Sequence, residues 1–168
     1  MELFGFLKSK REQAIDFKNE IDLGKILNQG IYFEDTGQFL KWGTSLNDLA
    51  KEVPVKEKLF ADRTVYNWGE HSILDGLKLE FTIIFWNHKD ESRYKKFNAI
   101  EFWAVGNETA EEYLKVISAH IEKHFGKPAR NEVSEKAVEL EWLVNDVKIY
   151  LYFFEQYANK LHFEISVK

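Results

Sequence analysis

The chain has no cysteine among its 168 residues, which excludes disulfides, iron–sulfur clusters and thiolate zinc sites. The same absence favours a reducing, cytoplasmic setting. Proline occurs only at Pro54 and Pro128, and each reads as a helix stop. The nine glycines are scattered through turns, with no phosphate-cradling loop among them. No apolar run approaches the roughly 20 residues that span a bilayer. Positive charge is in deficit, with a net charge of −5. Nucleic-acid binding needs a basic footprint to displace counterions, so no nucleic-acid partner is expected. Neither a HExxH run nor a serine in a nucleophile elbow is present. No cofactor and no metal site are expected.

What the chain does have is apolar and aromatic mass. Hydrophobic residues make up 45% and aromatics 15%, with 14 Phe, 7 Tyr and 5 Trp, which excludes disorder as a description of the whole. A single domain of this length buries roughly 70% of its unfolded surface. The start, Met1-Glu2-Leu3-Phe4-Gly5-Phe6-Leu7-Lys8-Ser9-Lys10-Arg11, places its positive charges after the apolar stretch, the wrong side for a signal peptide. It reads as a short helix packing Leu3, Phe4 and Leu7 onto the domain. A membrane-surface contact through residues 1–11 is the competing reading.

Two halves of the chain follow one plan. Lys41-Trp42-Gly43-Thr44 and Ala104-Val105-Gly106-Asn107 each run from strand through glycine into a helix start. Each half then reads as a helix and three strand-like runs. Each closes on a similar phrase, Asn98-Ala99-Ile100-Glu101-Phe102 in one and Asn159-Lys160-Leu161-His162-Phe163 in the other. The expected fold is α+β: a curved antiparallel sheet from two tandem α-β-β-β repeats, 43–105 and 106–168, with helices on one face. Residues 1–42 form an N-terminal helix and hairpin extension, and the whole is one domain.

Local signals support these elements. Residues 12–29 read as a weak helix ending at Gly30. Ile31-Tyr32-Phe33 and Gln38-Phe39-Leu40-Lys41-Trp42 flank a Glu34-to-Gly37 turn, as in a hairpin. Ser45-Leu46-Asn47-Asp48 is a capping-box-like start, and Thr109-Ala110-Glu111-Glu112 a second. After the latter, Ala110, Leu114, Ile117, Ile121 and Phe125 recur at helical spacing, and Gly126 and Pro128 stop the helix. Leu77 to Trp86, Ile100 to Val105, Glu139 to Leu143, Val147 to Phe154 and Leu161 to Lys168 alternate with a period of two, as strands do. Thr64 to Trp68 is a weaker strand.

Sorting each strand by that period separates an aliphatic core face from an outer face. The outer face carries Trp86, Trp103, Tyr150, Tyr152 and Phe154 among Lys78, Glu80, Glu101, Glu141, Lys148, His162 and Glu164. Large aromatics with mixed charge are what protein interfaces enrich. The candidate partner-binding residues are Trp86, Trp103, Tyr150, Tyr152, Glu101, Glu141 and His162. Burial of the same aromatics beneath residues 1–30 is the alternative. His120 and His124 have the i, i+4 spacing of metal ligands, but on the last turns of a helix they read as structural.

In outline this plan resembles the tandem-repeat inhibitors of the β-lactamase inhibitory protein family, whose concave sheet face grips its target. That family carries disulfides, which this chain cannot form. The resemblance is one of architecture. The aromatic outer face and the acidic balance lead to the expectation of a non-catalytic protein-binding module of the bacterial immunity or inhibitor type, with another protein or a second copy of the chain as partner. The alternative function is a small-molecule binder or enzyme with a cavity between sheet and helices.

Overall fold

A computed structural model describes residues 22–86 and 96–168, with only the backbone of Trp86 and Gln156. The expectations placed on residues 1–21 and on the loop 87–95 lie outside the described residues. The fold is α+β. Helix α1 (Leu23–Gln29) leads into the hairpin β1 (Gly30–Phe33) and β2 (Gln38–Lys41). Helix α2 (Leu46–Glu52) precedes β3 (Lys56–Leu59), β4 (Arg63–Ile73), β5 (Leu77–Trp86) and β6 (Ala99–Val105). Helix α3 (Asn107–Phe125) precedes β7 (Arg130–Val133), β8 (Ala137–Val144), β9 (Val147–Gln156) and β10 (Ala158–Val167).

Strands β3 to β10 form one antiparallel sheet in the order β3-β4-β5-β6-β10-β9-β8-β7, and β1-β2 form a small second sheet. Each half of the large sheet has four strands where three were expected. The additional ones, β3 and β7, are the edges and are exposed along their whole length. With neither face buried they show no alternation for a sequence to betray. Their Lys, Arg and Glu side chains are the usual means of blocking edge-to-edge association.

The two halves join at β6 and β10, in a register that runs from Lys160 opposite Val105 to Ser166 opposite Ala99. Strand β5 meets β6 where Thr82 lies opposite Glu101. Within β4–β5 the register slips between Asn67 and Gly69, which leaves Trp68 as the extra residue of a bulge. Gly69 supplies the positive φ of 87°, and the Asn67 Oδ1 accepts its N–H at 2.6 Å. Trp68 is buried there, its ring edge-on to Phe97.

Period-two alternation aims Leu77, Leu79, Phe81, Ile83, Ile100, Phe102, Leu140, Trp142, Ile149, Leu151, Leu161, Phe163 and Ile165 to one face, all of them buried. Each such side chain contributes roughly 1.5–3 kcal/mol of burial. Helix α3 covers this face with Ala110, Ile117 and Ile121, and Tyr113 meets Phe102 edge-on at 4.8 Å. The helix begins at Asn107, two residues ahead of the expected capping box. Its N-cap is Gly106, and no side chain caps it. Asn107 Oδ1 instead accepts the backbone N–H of Asn159, so the residue ties the helix start to β10.

The hairpin docks on the same side. Phe33 approaches Phe81, and Trp42 stacks on Phe97 at 4.8 Å while donating to the Leu27 carbonyl. Its turn carries two carboxylates that hold the β4–β5 turn. Glu34 accepts the N–H groups of Asp75 and Gly76, and Asp35 accepts that of Ser72 and pairs with His71.

Candidate functional site

The opposite face of the large sheet is set by strand register. One cross-strand row runs Thr82, Glu101, Glu164, Tyr150, Glu141, Arg130. The next runs Trp103, His162, Tyr152, Glu139, Glu132. A third runs Val105, Lys160, Phe154, Ala137. None of these residues is buried, and Trp103 is 42% exposed.

The aromatic rings form a continuous ladder. Trp103 stacks on His162 with centroids 4.1 Å apart and planes 19° from parallel. His162 lies edge-on to Tyr150 at 6.3 Å. Tyr150 stacks toward Tyr152, and Tyr152 on Phe154 at 4.9 Å. Lys148 sits over the middle of the ladder, 5.1 Å from the Tyr150 ring, and Lys160 over one end, 5.7 Å from that of Phe154. Arrangements of this kind attract cations to ring faces.

Polar groups fix the ladder in place. The Trp103 Nε1–H donates to Glu101 Oε2 at 2.9 Å. His162 Nε2 lies 3.6 Å from the same oxygen. Arg130 binds Glu132 through two hydrogen bonds of 2.9 Å and reaches Glu139 at 2.9 Å. The guanidinium holds the Glu132 carboxyl below the usual carboxylate range. Burial, reinforced by the Glu139 carboxylate, pushes the Tyr150 hydroxyl up to about 12. Tyr150 is therefore a hydrogen-bond donor at every physiological pH, not an acid.

Of the sequence-derived candidates, Trp103, Tyr150, Tyr152, Glu101 and His162 come together in this cluster. Glu141 stands one strand further out, opposite Tyr150 and Arg130. Trp86 closes β5 opposite Arg63, and its side chain lies outside the described residues. Glu164, Thr82, Glu139, Arg130 and Lys160 belong to the same face but were not among the candidates. Period-two sorting already puts Glu164 on this face; which residues stand opposite one another follows from the β6–β10 and β8–β9 registers, which no local pattern encodes. Beside the cluster, between β5 and β6, lies an open cleft of about 640 Å³, bordered by Ile84, Lys96, Glu101, Lys148, Glu164 and Lys168.

The His120–His124 pair has a different role. His120 Nε2 meets the Leu74 carbonyl at 2.6 Å, and His124 Nε2 lies 3.5 Å from Asp75 Oδ2. Both rings thus face the β4–β5 turn from α3. His124 lines one side of a cavity of about 600 Å³ under α1 and β1, to which Ile26, Leu27, Ile31, Glu34 and Asp75 also contribute.

No protein-family model matches the chain, and no curated protein or solved structure matches it. Among the described residues, no helix is long and apolar enough to cross a membrane.

Proposed function

We propose that the outer face of the large sheet is a protein-binding surface and that the chain is a non-catalytic binding module of the immunity or inhibitor type. The observation that carries the reading is the ladder Trp103–His162–Tyr150–Tyr152–Phe154, exposed at Trp103, partly exposed along the rest and held by charged neighbours. Rigid aromatics bury large area for few rotors, and a charged rim sets orientation. An ordinary solvated sheet face carries fewer large rings, because contiguous apolar patches promote association.

The strand order supports a duplicated origin. It reads the same from either edge, as fourth strand beside fourth strand: β3-β4-β5-β6 mirrored by β7-β8-β9-β10 about the β6–β10 seam. Two α-β-β-β-β units of one plan would give this order, and a curved sheet built from them would offer one broad concave surface. The acidic balance of the chain suits a basic partner, and a cytoplasmic setting suits the absence of cysteine.

The test compares capture of partners by the wild-type chain and by a Trp103→Ala/Tyr152→Ala variant that retains its circular dichroism and thermal transition. A partner that binds the purified wild type directly and loses affinity for the variant supports the reading. Equal capture by both removes it. Light scattering across a concentration series distinguishes a second copy of the chain from a different protein.

The cavity under α1 favours a second reading, a small-molecule site. It is mostly apolar, with Glu34, Asp75 and His124 as its few polar groups, which is the usual make-up of ligand pockets. A ligand whose binding is abolished by Ile31→Trp and unaffected by Trp103→Ala would assign function there.

A further inference from the structure

Strands β6 and β10 place Glu101 directly opposite Glu164 and Trp103 directly opposite His162. Like charges facing each other across an antiparallel pair are unfavourable. Among the described residues, neither carboxylate has a Lys or Arg within ion-pair distance. Lys148 lies over the Tyr150 ring, Arg130 is engaged with Glu132 and Glu139, and Lys96 and Lys168 border the neighbouring cleft without pairing with either carboxylate.

The third member of the cluster is a second anomaly. The His162 side chain is only 14% exposed. Its Nε2 is shielded from solvent and has no hydrogen-bond partner among the described residues. A shielded polar atom without a partner is costly and calls for an explanation, such as an ion.

A divalent cation answers both anomalies. One carboxylate oxygen from Glu101, one from Glu164 and a ring nitrogen of His162 all lie within 4.8 Å of one another. The 3.6 Å between His162 Nε2 and Glu101 Oε2 is close to the roughly 3.4 Å that two ligands about 2.1 Å from a tetrahedral zinc ion would show. The surroundings have the features of a ligand-orienting shell. The Trp103 N–H donates to Glu101 Oε2 at 2.9 Å, and the Trp103 ring lies flat against the imidazole. Outer hydrogen bonds of this kind fix the direction of metal ligands. The cleft bordered by Glu101 and Glu164 provides an entry path and room for a water or partner group at an open coordination position.

We infer that Glu101, His162 and Glu164 form a binding site for a divalent transition metal. The one-nitrogen, two-oxygen donor set suits zinc, manganese or iron(II) rather than a soft, thiolate-seeking ion. The inference does not depend on the protein-binding reading. A metal would bind the isolated chain whether or not a partner exists.

The test uses tag-free, chelator-treated full-length protein titrated with Zn²⁺ alone, followed by calorimetry and by tryptophan fluorescence. The expected result is saturable binding of one Zn²⁺ per chain, with a fluorescence change from Trp103. Glu164→Gln, which keeps shape on a partly exposed strand, is expected to weaken binding at least tenfold, as is His162→Gln. Trp103→Phe keeps the ring but removes the donor, and is expected to weaken binding about tenfold. His120→Ala/His124→Ala is expected to leave binding unchanged. The inference is overturned if the wild type binds no Zn²⁺, or if Glu164→Gln and His162→Gln bind as tightly as the wild type. Loss of binding in the His120/His124 variant with both cluster variants unaffected would overturn it equally.

Discussion

Phe33 lies flat on His71, with ring centroids 3.9 Å apart and planes within 10°. This stack is the anchor of the N-terminal hairpin. The imidazole also spans two partners, Asp35 through Nδ1 at 3.0 Å and the Trp68 carbonyl through Nε2 at 3.0 Å. One ring therefore joins the hairpin turn to the β4 bulge. Burial alone would raise the Asp35 carboxyl, but the Ser72 N–H and the His71 ring outweigh it and hold Asp35 below the usual carboxylate range.

Replacing His71 with alanine removes the stack and both hydrogen bonds. The expected loss is about 2–3 kcal/mol of unfolding free energy, measured by urea denaturation. Asp35→Asn, at a more exposed position, is expected to cost less. An effect of His71→Ala within experimental error would mean that the hairpin contributes nothing to the stability of the large sheet.

Gly30 is required by close approach rather than by backbone angle. A Cβ there would fall on the Leu40 carbonyl oxygen and come within 2.9 Å of the Lys41 Cα, and neither backbone group can turn away. Gly30→Ala is expected to destabilise by about 2–3 kcal/mol, seen as a lowered thermal midpoint. Retention of the wild-type midpoint would show that β1 and β2 can separate without cost.

His124 gives the stability a pH dependence of known sign. Burial, then the neighbouring His120 and Lys123, lower its pKa below the ordinary 6.5, against the pull of Asp75 and Glu34. The unfolded chain therefore takes up the proton first as pH falls. Stability is full above 6.5, declines below it and levels off beneath the folded-state pKa. His124→Gln is expected to flatten that part of the curve of thermal midpoint against pH. An unchanged slope in the variant would assign the dependence to other groups.

Outer-face and core aromatics separate in a stability assay. Trp103→Ala or Tyr152→Ala is expected to change unfolding free energy by about 1 kcal/mol or less. Phe163→Ala, on the same sheet but fully buried, is expected to cost about 3–5 kcal/mol. Comparable losses on the two faces would mean that the outer ladder is a second core.

The carboxylate pair carries a cost that metal-free protein should reveal. With a chelator present, Glu164→Gln is expected to raise stability by about 0.5 kcal/mol by relieving the repulsion across β6–β10. Groups held in an unfavourable arrangement are common where binding is the purpose. A drop in stability would indicate that Glu164 is already neutralised within the chain.

Much of this architecture is legible in the chain. Helix α3 announces itself because Ala110, Ile117 and Ile121 recur on one stripe, and Gly126 and Pro128 stop it. The turns at Asp75-Gly76 and Asn145-Asp146 are legible from their turn residues, and Leu74, Asp75, Gly76 and Asn145 indeed take positive φ. Strands β3 and β7 are not legible, since a strand exposed on both faces has no reason to alternate. The early start of α3 escapes because Asn107 spends its side chain on Asn159 instead of on its own helix. The outer face is legible as a set of residues but not as an arrangement. Glu101 and His162 are neighbours only through the β6–β10 register, which depends on two segments far apart in the chain.

That seam also sets an order of events during synthesis. Strand β10 follows every other strand in the chain, yet it occupies the middle of the large sheet between β6 and β9. While a ribosome is still translating residues 158–167, β3–β6 and β7–β9 have no shared partner, and β6 and β9 each present an unpaired backbone edge. Such edges are where nascent chains associate wrongly. The Trp103–His162 stack and the Glu101–His162–Glu164 cluster come into being only when β10 inserts. A fragment released short of that strand would carry most of the residues of this face and none of the seam that assembles it.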